Sequence, residues 1–263
     1  MPPIIAVQTV KNRLDLLLYY TIPQFKNQSI LIPPIQILSN PQMTKSSTPG
    51  ADGAWIYNRV MLALYDVWVL GVVNSFAWHC STKKVQLPFF KKHLSAHHVD
   101  IGPGTGYYLV NAEIPSTTEV SVLDLNPNCL EDAKQALKRP DMPTFLADVL
   151  QPLPLTEKYD SISTFYLIHC LPGPLEKKMV LFTNLKKHLT EDGTVYGTTI
   201  LGMGVSFNWF GRIIMHFLNK NRIFDNRGDG EVEFREALKR DYKMVKTELV
   251  GNILLFSASQ PIF

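Results

Sequence analysis

Cysteine is scarce in this chain, with Cys80, Cys129 and Cys170 the three in 263 residues. They stand far apart, and no two form a C-x-x-C pair. An odd, scattered set argues against both a disulfide framework and a structural zinc site. A reducing, cytoplasmic setting is the expectation. The apolar PPIIAV at the start precedes its basic residues, the reverse of a secretory signal, and Asp15 is out of place in a transit peptide. A long uncharged apolar run is missing as well. Val67 to Thr82 comes nearest, but Asn74 and Ser75 interrupt it and it falls short of the roughly 20 apolar residues a spanning helix needs. A buried or lid-forming helix is expected there, and no membrane span. Charge of one sign is also lacking, for 26 Lys and Arg face 23 Asp and Glu, a formal net charge of +3. Lys11, Arg13 and Lys26 outweigh Asp15 before residue 43, so the remainder is nearly neutral. Lys83, Lys84, Lys91 and Lys92 read as a solvated face, and no nucleic-acid partner is expected.

What is present is apolar content, 46% of the chain, enough to bury a sizeable core. The first 50 residues are rich in proline and hold short apolar runs without a sustained helix or strand period. From Gly50 the sequence turns aromatic with a helical rhythm broken at Gly71, and two short helices fit it. QLPFFKKHL follows, with Pro88 suited to the first turn of another helix. From His97 onward, short apolar runs alternate with helical stretches, which predicts a doubly wound α/β sheet. The strand candidates are HHVDI, EVSVLDL, PTFLADV, YDSISTFYLI and GTVYGTTIL. GYYLVNAEI, CLEDAKQALKR and EKKMVLFTNLKKHL supply the helices between them. Asn128 is the expected cap of the second, and Glu191, Asp192 and Gly193 the expected stop of the third. Gly251 and Asn252 lie between YKMVKTELV and ILLFSAS, a hairpin signal, so an antiparallel pair should close a mostly parallel sheet with helices on both faces.

The segment richest in chemistry is VDIGPGTGYYL. Asp100 ends the first strand candidate, and Gly102, Gly104 and Gly106 follow at alternate positions. Glycines there permit a tight strand-to-helix turn and a close backbone approach to a ligand. A dinucleotide-binding G-x-G-x-x-G would require glycine where Tyr107 stands, so a nicotinamide-dependent oxidoreductase is disfavoured.

The run acidic-x-G-x-G-x-G resembles the first motif of the class I S-adenosylmethionine-dependent methyltransferases, and landmarks in the right order extend the resemblance. It implies that Asp100 and the three glycines bind the cofactor, Asp100 serving the glycine loop and the methionine amino group. It further implies that Asp124 in SVLDLN takes the ribose hydroxyls with Leu125 beside it, and that Asp148 and the Val149 backbone N–H meet the adenine. YDSISTFYLIHCLPG is similar to the segment lining the methyl-transfer site, which makes His169 a candidate general base, since an imidazole titrates near neutrality. The alternative for His169 is a packed histidine with its hydrogen bonds satisfied. Tyr57, Tyr65 and Trp68 on the leading helices, with Asn208 and Trp209 after the fifth strand, are candidate lid or substrate contacts, and Tyr107 and Tyr108 border the glycine loop. Core packing is the competing reading for all of these aromatics.

STPGADGAWIYN, YDVWVLG and ILGMGVSFNWFGR resemble fungal small-molecule methyltransferases of secondary metabolism. That similarity begins just after Met43. Residues 1–46 are therefore expected to be a disordered or non-native N-terminal extension, and residues 47–263 one methyltransferase domain. The implied reaction is methyl transfer from S-adenosylmethionine to a small molecule, a secondary-metabolite hydroxyl first, without a metal. The [DN]-P-P-[YFW] signature of nucleic-acid amino methylation is absent. Alternatives are reuse of the fold as a cyclase or isomerase, and a non-catalytic protein that binds the cofactor.

Overall fold

In β1 (His97–Ile101) the sequence alternates His98 and Asp100 with Val99 and Ile101, and all four are buried. Burial of both alternating sets requires cover on both faces of the strand. The computed structural model, which describes residues 73–263, supplies that cover. The expected extension over residues 1–46, the start of the domain at residue 47, and the leading helices with Tyr57, Tyr65 and Trp68 lie outside the described residues.

The remaining strands are β2 (Glu119–Asp124), β3 (Thr144–Leu146), β4 (Tyr159–Phe165), β5 (Leu189–Ile200), β6 (Tyr242–Val250) and β7 (Ile253–Pro261), forming one sheet in the order β3-β2-β1-β4-β5-β7-β6. The first five run parallel, whereas β7 is antiparallel to both β5 and β6. The two-residue Gly251–Asn252 connection closes the β6–β7 hairpin, as its sequence predicts. Strand order reverses between β1 and β4, and in doubly wound sheets ligands bind in the crevice beyond the carboxyl ends of strands at that reversal.

Helices pack on both faces. On one, α1 (Leu87–His93), with Pro88 in its first turn, presents Phe90 to Tyr108, Phe165 and Tyr196. Also bearing on that side are α2 (Tyr107–Asn111) and α3 (Pro127–Leu137), through Leu109, Leu130 and Ala133. The opposite cluster gathers Val99, Ile101, Leu123 and Phe256 with residues from α4 (Leu175–Lys178) and α5 (Val180–Leu185). The chain then adds α6 (Trp209–Lys220) and α7 (Glu231–Asp241), two helices the sequence reading leaves unassigned. Residues Phe234 and Leu238 of α7 join the second cluster.

Two local expectations are corrected. Asn126, not Asn128, caps α3: its side chain accepts from the Asn128 N–H at 3.0 Å, and Pro127 takes the first helical position, where a missing N–H costs nothing. Glu191, Asp192 and Gly193 do not stop a helix. The preceding helix is broken into α4, α5 and a short 3₁₀ turn at Lys186–His188, and the three residues lie within β5. There the pairing jumps from Tyr159–Leu189 to Ser161–Thr194, so they form a bulge on the strand.

Candidate active site

The glycine loop leaves β1 at the strand reversal. Gly102, Gly104 and Gly106 all have positive φ, of 72°, 58° and 76°. Packing accounts for two of them. A Cβ on Gly102 would come within 3.2 Å of Leu167 Cδ1, and one on Gly106 within 3.3 Å of Ala133 Cα. Beside Gly104 a Cβ would meet nothing within 4 Å, although the left-handed backbone still favours glycine. That open side is where a ligand can lie against the main chain.

Three carboxylates stand at or just beyond the carboxyl ends of β1, β2 and β3. Asp100 is buried beneath the glycine loop and accepts a hydrogen bond from Ser163 Oγ at 2.5 Å. Burial pushes its pKa up to about 7, against the lowering effect of Ser163 and with a further rise from the Asp124 charge. Asp124, at the end of β2, accepts from the Asn126 N–H at 2.7 Å. Burial raises its pKa to about 6, opposed by the Asn126 N–H, the Cys129 thiol and the Leu125 N–H. Leu125 itself is largely open to solvent. Asp148 follows β3 and accepts from the Leu150 N–H at 2.9 Å, while the Ala147 N–H donates to the Asp124 carbonyl at 3.1 Å, which ties the two strand exits together. Val149 is buried, and its carbonyl accepts from Asn184 Nδ2 at 3.1 Å.

The exit of β4 is built differently. Tyr166 is buried with φ at 57°, a left-handed conformation that is unusual for a bulky residue. Gln86 bridges it to the loop side, donating to Tyr166 Oη at 2.8 Å and accepting from Tyr108 Oη at 2.8 Å. His169 is 1% exposed and packs edge-on against Phe224, with ring centroids 4.3 Å apart. The Ile200 N–H donates to its Nδ1 at 3.3 Å. Burial, and then the charge of Lys178, lower its pKa to about 3. Asn208 caps α6 by accepting from the Gly211 N–H at 2.7 Å, and its amide donates to the Phe76 carbonyl at 2.6 Å. Trp209 is exposed and meets Phe210 edge-on. Asn208 is thus engaged in joining α6 to the segment around Phe76.

Several residues at this site carry no motif signal. Lys178 is wholly buried and paired with Asp229 at 2.7 Å, and its ammonium also donates to the Asp225 carbonyl. Asp225 in turn accepts from the Gly173 N–H at 2.7 Å. Beneath Asp100, His98 and Ser163 form buried contacts that the alternation in HHVDI and YDSISTF could have signalled. A separate cavity of about 330 Å³ is lined by Phe89 and His93 of α1 and by residues of β5, β6 and β7, among them Thr194, Lys246 and Ser259. Among the described residues no group of three or more His, Cys, Asp or Glu is placed to hold a metal ion, and no helix is long and apolar enough to cross a membrane.

Comparison with known proteins agrees with this geometry. The family described as a methyltransferase domain matches residues 81–232. The physcion biosynthesis cluster O-methyltransferase of Aspergillus chevalieri is 44% identical over 216 residues, covering 81% of this chain and 97% of that protein. An N-methyltransferase of Penicillium aethiopicum is 38% identical over 219 residues, covering 83% and 92%. Among solved structures, the DhpI–SAH complex superposes with a TM-score of 0.55 at 11% identity, over 80% of this chain and 96% of that one, a likeness of fold. The match over most of the chain, on a sheet of this order, places the protein in the S-adenosylmethionine-dependent methyltransferase family.

Proposed function

We propose that the chain methylates a hydroxyl group of a small, largely apolar or aromatic metabolite. The observation that carries the reading is the open left-handed Gly104 after β1, at the strand reversal, with Asp100, Asp124 and Asp148 at the carboxyl ends of β1, β2 and β3. Those groups fit the cofactor's chemistry. The Asp124 carboxylate suits two ribose hydroxyls, Asp100 suits an ammonium group, and Asp148 with Val149 suits the adenine edge. Bound S-adenosylmethionine supplies a methyl group activated by its sulfonium. The chain's part is to bind, orient and exclude water, since in-line displacement gains most from holding the reactants in position. His169 we assign to packing. A ring whose Nδ1 takes a backbone N–H and whose pKa is about 3 has little affinity for a substrate proton. Asn208 we assign to the α6 cap, and Trp209 remains the candidate lid residue among those described. A hydroxyl acceptor is favoured by the O-methyltransferase of Aspergillus chevalieri, while the N-methyltransferase of Penicillium aethiopicum makes an amine the rival.

The test is calorimetric titration of the full chain with S-adenosylmethionine, S-adenosylhomocysteine and NAD, followed by a panel of phenols and aryl amines read by mass spectrometry. Micromolar binding of the first two ligands and methylated phenols are expected. Methylation confined to amines would overturn the hydroxyl assignment, and binding of NAD alone would overturn the cofactor.

A further inference from the structure

Four polar side chains are buried on one face of the sheet beneath the glycine loop. The register of β1 against β4 pairs His98 with Ser161 and Asp100 with Ser163. None is more than 4% exposed. The Ser95 N–H donates to Ser161 Oγ at 3.0 Å. Ser161 Oγ lies 2.8 Å from His98 Nδ1, and Ser163 Oγ lies 3.1 Å from His98 Nε2 and 2.5 Å from Asp100 Oδ1.

Counting protons fixes the direction of this chain. With Asp100 ionised, the single hydroxyl proton of Ser163 lies on the bond to Oδ1. The contact between Ser163 and His98 then needs a proton on Nε2. Burial, against a raising hydrogen bond to the Ser161 backbone, pushes the His98 pKa down to about 3, so the ring is neutral, and with the proton on Nε2 it is Nδ1 that accepts from the Ser161 hydroxyl. Protonation of Asp100 on Oδ1 reverses every donor. The chain gains one proton from solvent overall: the protons of Ser161, Nε2 and Ser163 each move one bond toward the carboxylate, and the Ser161 hydroxyl is reprotonated. The result is Oδ1–H donating to Ser163, Ser163 donating to Nε2, and an Nδ1–H donating to Ser161.

We propose that this chain couples the tautomer of His98 to occupancy of the glycine loop: a cationic amino group held by Asp100 fixes the Nε2–H form, and its departure admits the Nδ1–H form. The coupling rests on the reading of Asp100 as partner of the cofactor's amino group. His98 and Ser163 are positioning residues in this scheme, acting through Asp100. The surroundings leave Asp100 free to respond. Asp124 of β2 raises its proton affinity, and the phenol of Tyr196 on β5 faces it with a pKa pushed well above the usual value by burial and then by the Asp100 charge. His97 precedes His98 on β1, and from α1 Phe90 packs against His98 while His93 stacks on Tyr196. Among the described residues no lysine or arginine is paired with Asp100.

The test is nitrogen NMR of the full, ¹⁵N-labelled chain, with His98 assigned by comparison with His98→Gln. Without ligand the two ring nitrogens should exchange roles with a midpoint at the Asp100 pKa of about 7. Saturating S-adenosylhomocysteine should hold the Nε2–H form to at least about one pH unit lower, as a nearby cation stabilises the carboxylate. Bound ligand with an unmoved tautomer would overturn the coupling alone. Failure of the ligand to bind the folded chain would overturn the cofactor reading and the coupling with it. Ser163→Ala should weaken ligand binding about tenfold and abolish the pH-dependent exchange, whereas Ser163→Thr should restore both. Exchange that persists in Ser163→Ala would overturn the proposal.

Discussion

The two ends of the site are held by different means. Beyond β2 and β3, Asp124 and Asp148 are each fixed by a backbone N–H two residues further on. Beyond β4 and β5 the ties are long-range: His169 to the Ile200 N–H, Asp225 to Gly173, Lys178 to Asp229, Asn208 to Phe76. A short sequence motif can prebuild the first kind, because every partner lies within the same turn. The second kind exists only after β4, β5, α6 and the Asp225–Asp229 loop have come together. A cofactor common to many enzymes suits the first construction, and an acceptor that varies between relatives suits the second.

If the two ends are independent, damage to one should leave the other working. Lys178→Met tests this with the largest expected effect. It strands Asp229 in a site where burial already raises its pKa against the pull of Lys178. Removing one partner of a buried pair costs roughly 3–5 kcal/mol, which denaturant unfolding would detect. The fraction that remains folded should bind S-adenosylhomocysteine as the parent does. A parallel loss of affinity would show that the two ends share one scaffold.

Asp124→Ala is the converse and somewhat smaller. Losing two hydrogen bonds to a charged acceptor predicts about a hundredfold weaker cofactor binding, about 2.7 kcal/mol. Stability without ligand should not fall. Asp100 and Asp124 have folded pKa values raised to about 7 and about 6, so the native state binds their protons more tightly than the unfolded chain. Their contribution to stability is therefore fullest at acid pH and declines as pH rises toward those values. On the proposed reading cofactor binding uses the ionised forms and should strengthen over the same window. Melting curves between about pH 4 and pH 7.5, with and without S-adenosylhomocysteine, should show these opposite trends for the parent and a weaker ligand response for Asp124→Ala. A ligand-free melting temperature that climbs with pH in parallel with affinity would contradict the burial of these carboxylates.

The same contrast explains what the sequence could disclose. The strands themselves follow from short apolar runs and the hairpin from Gly251–Asn252, both local patterns, whereas their order in the sheet is seen only in the fold. Asp100, Asp124 and the glycines are legible because strand ends and turns fix their spacing. The cap of α3 shifts from Asn128 to Asn126 because Pro127, with its fixed φ and missing N–H, takes the first helical position and leaves Asn126 as the residue before it, a local rule applied two residues late. The helix before β5 reads as continuous because its apolar period runs on through Met179, where the structure breaks it, and the partner of the neighbouring Lys178, Asp229, lies 51 residues away. Nothing local distinguishes that buried lysine from the exposed Lys177 beside it. His169 is ambiguous for the same reason, since a histidine at a strand exit reads equally as a base or as a packed ring, and the neighbours Ile200, Phe224 and Lys178 that favour packing are distant in sequence.

His169 therefore gives the smallest expected effect on chemistry and the sharpest test of the comparison. His169→Asn leaves the Ile200 N–H a possible acceptor but removes the ring packed on Phe224, so stability should fall by roughly 1–3 kcal/mol. Turnover at saturating substrate should fall less than about tenfold, and the pH profile of kcat/KM should keep the parent's shape, because general-base removal typically costs 10²–10⁴-fold. Loss of a titrating limb together with a hundredfold fall in kcat would return the proton to His169. That outcome would require the ring to leave its backbone partner and open toward the acceptor, so the long-range end of the site would be the mobile one. Retention of the limb in the variant leaves the substrate, a residue before Val73, Asp124 and Asp100 as candidates for the responsible group, and Ser163→Ala then separates Asp100 from the others by displacing the limb.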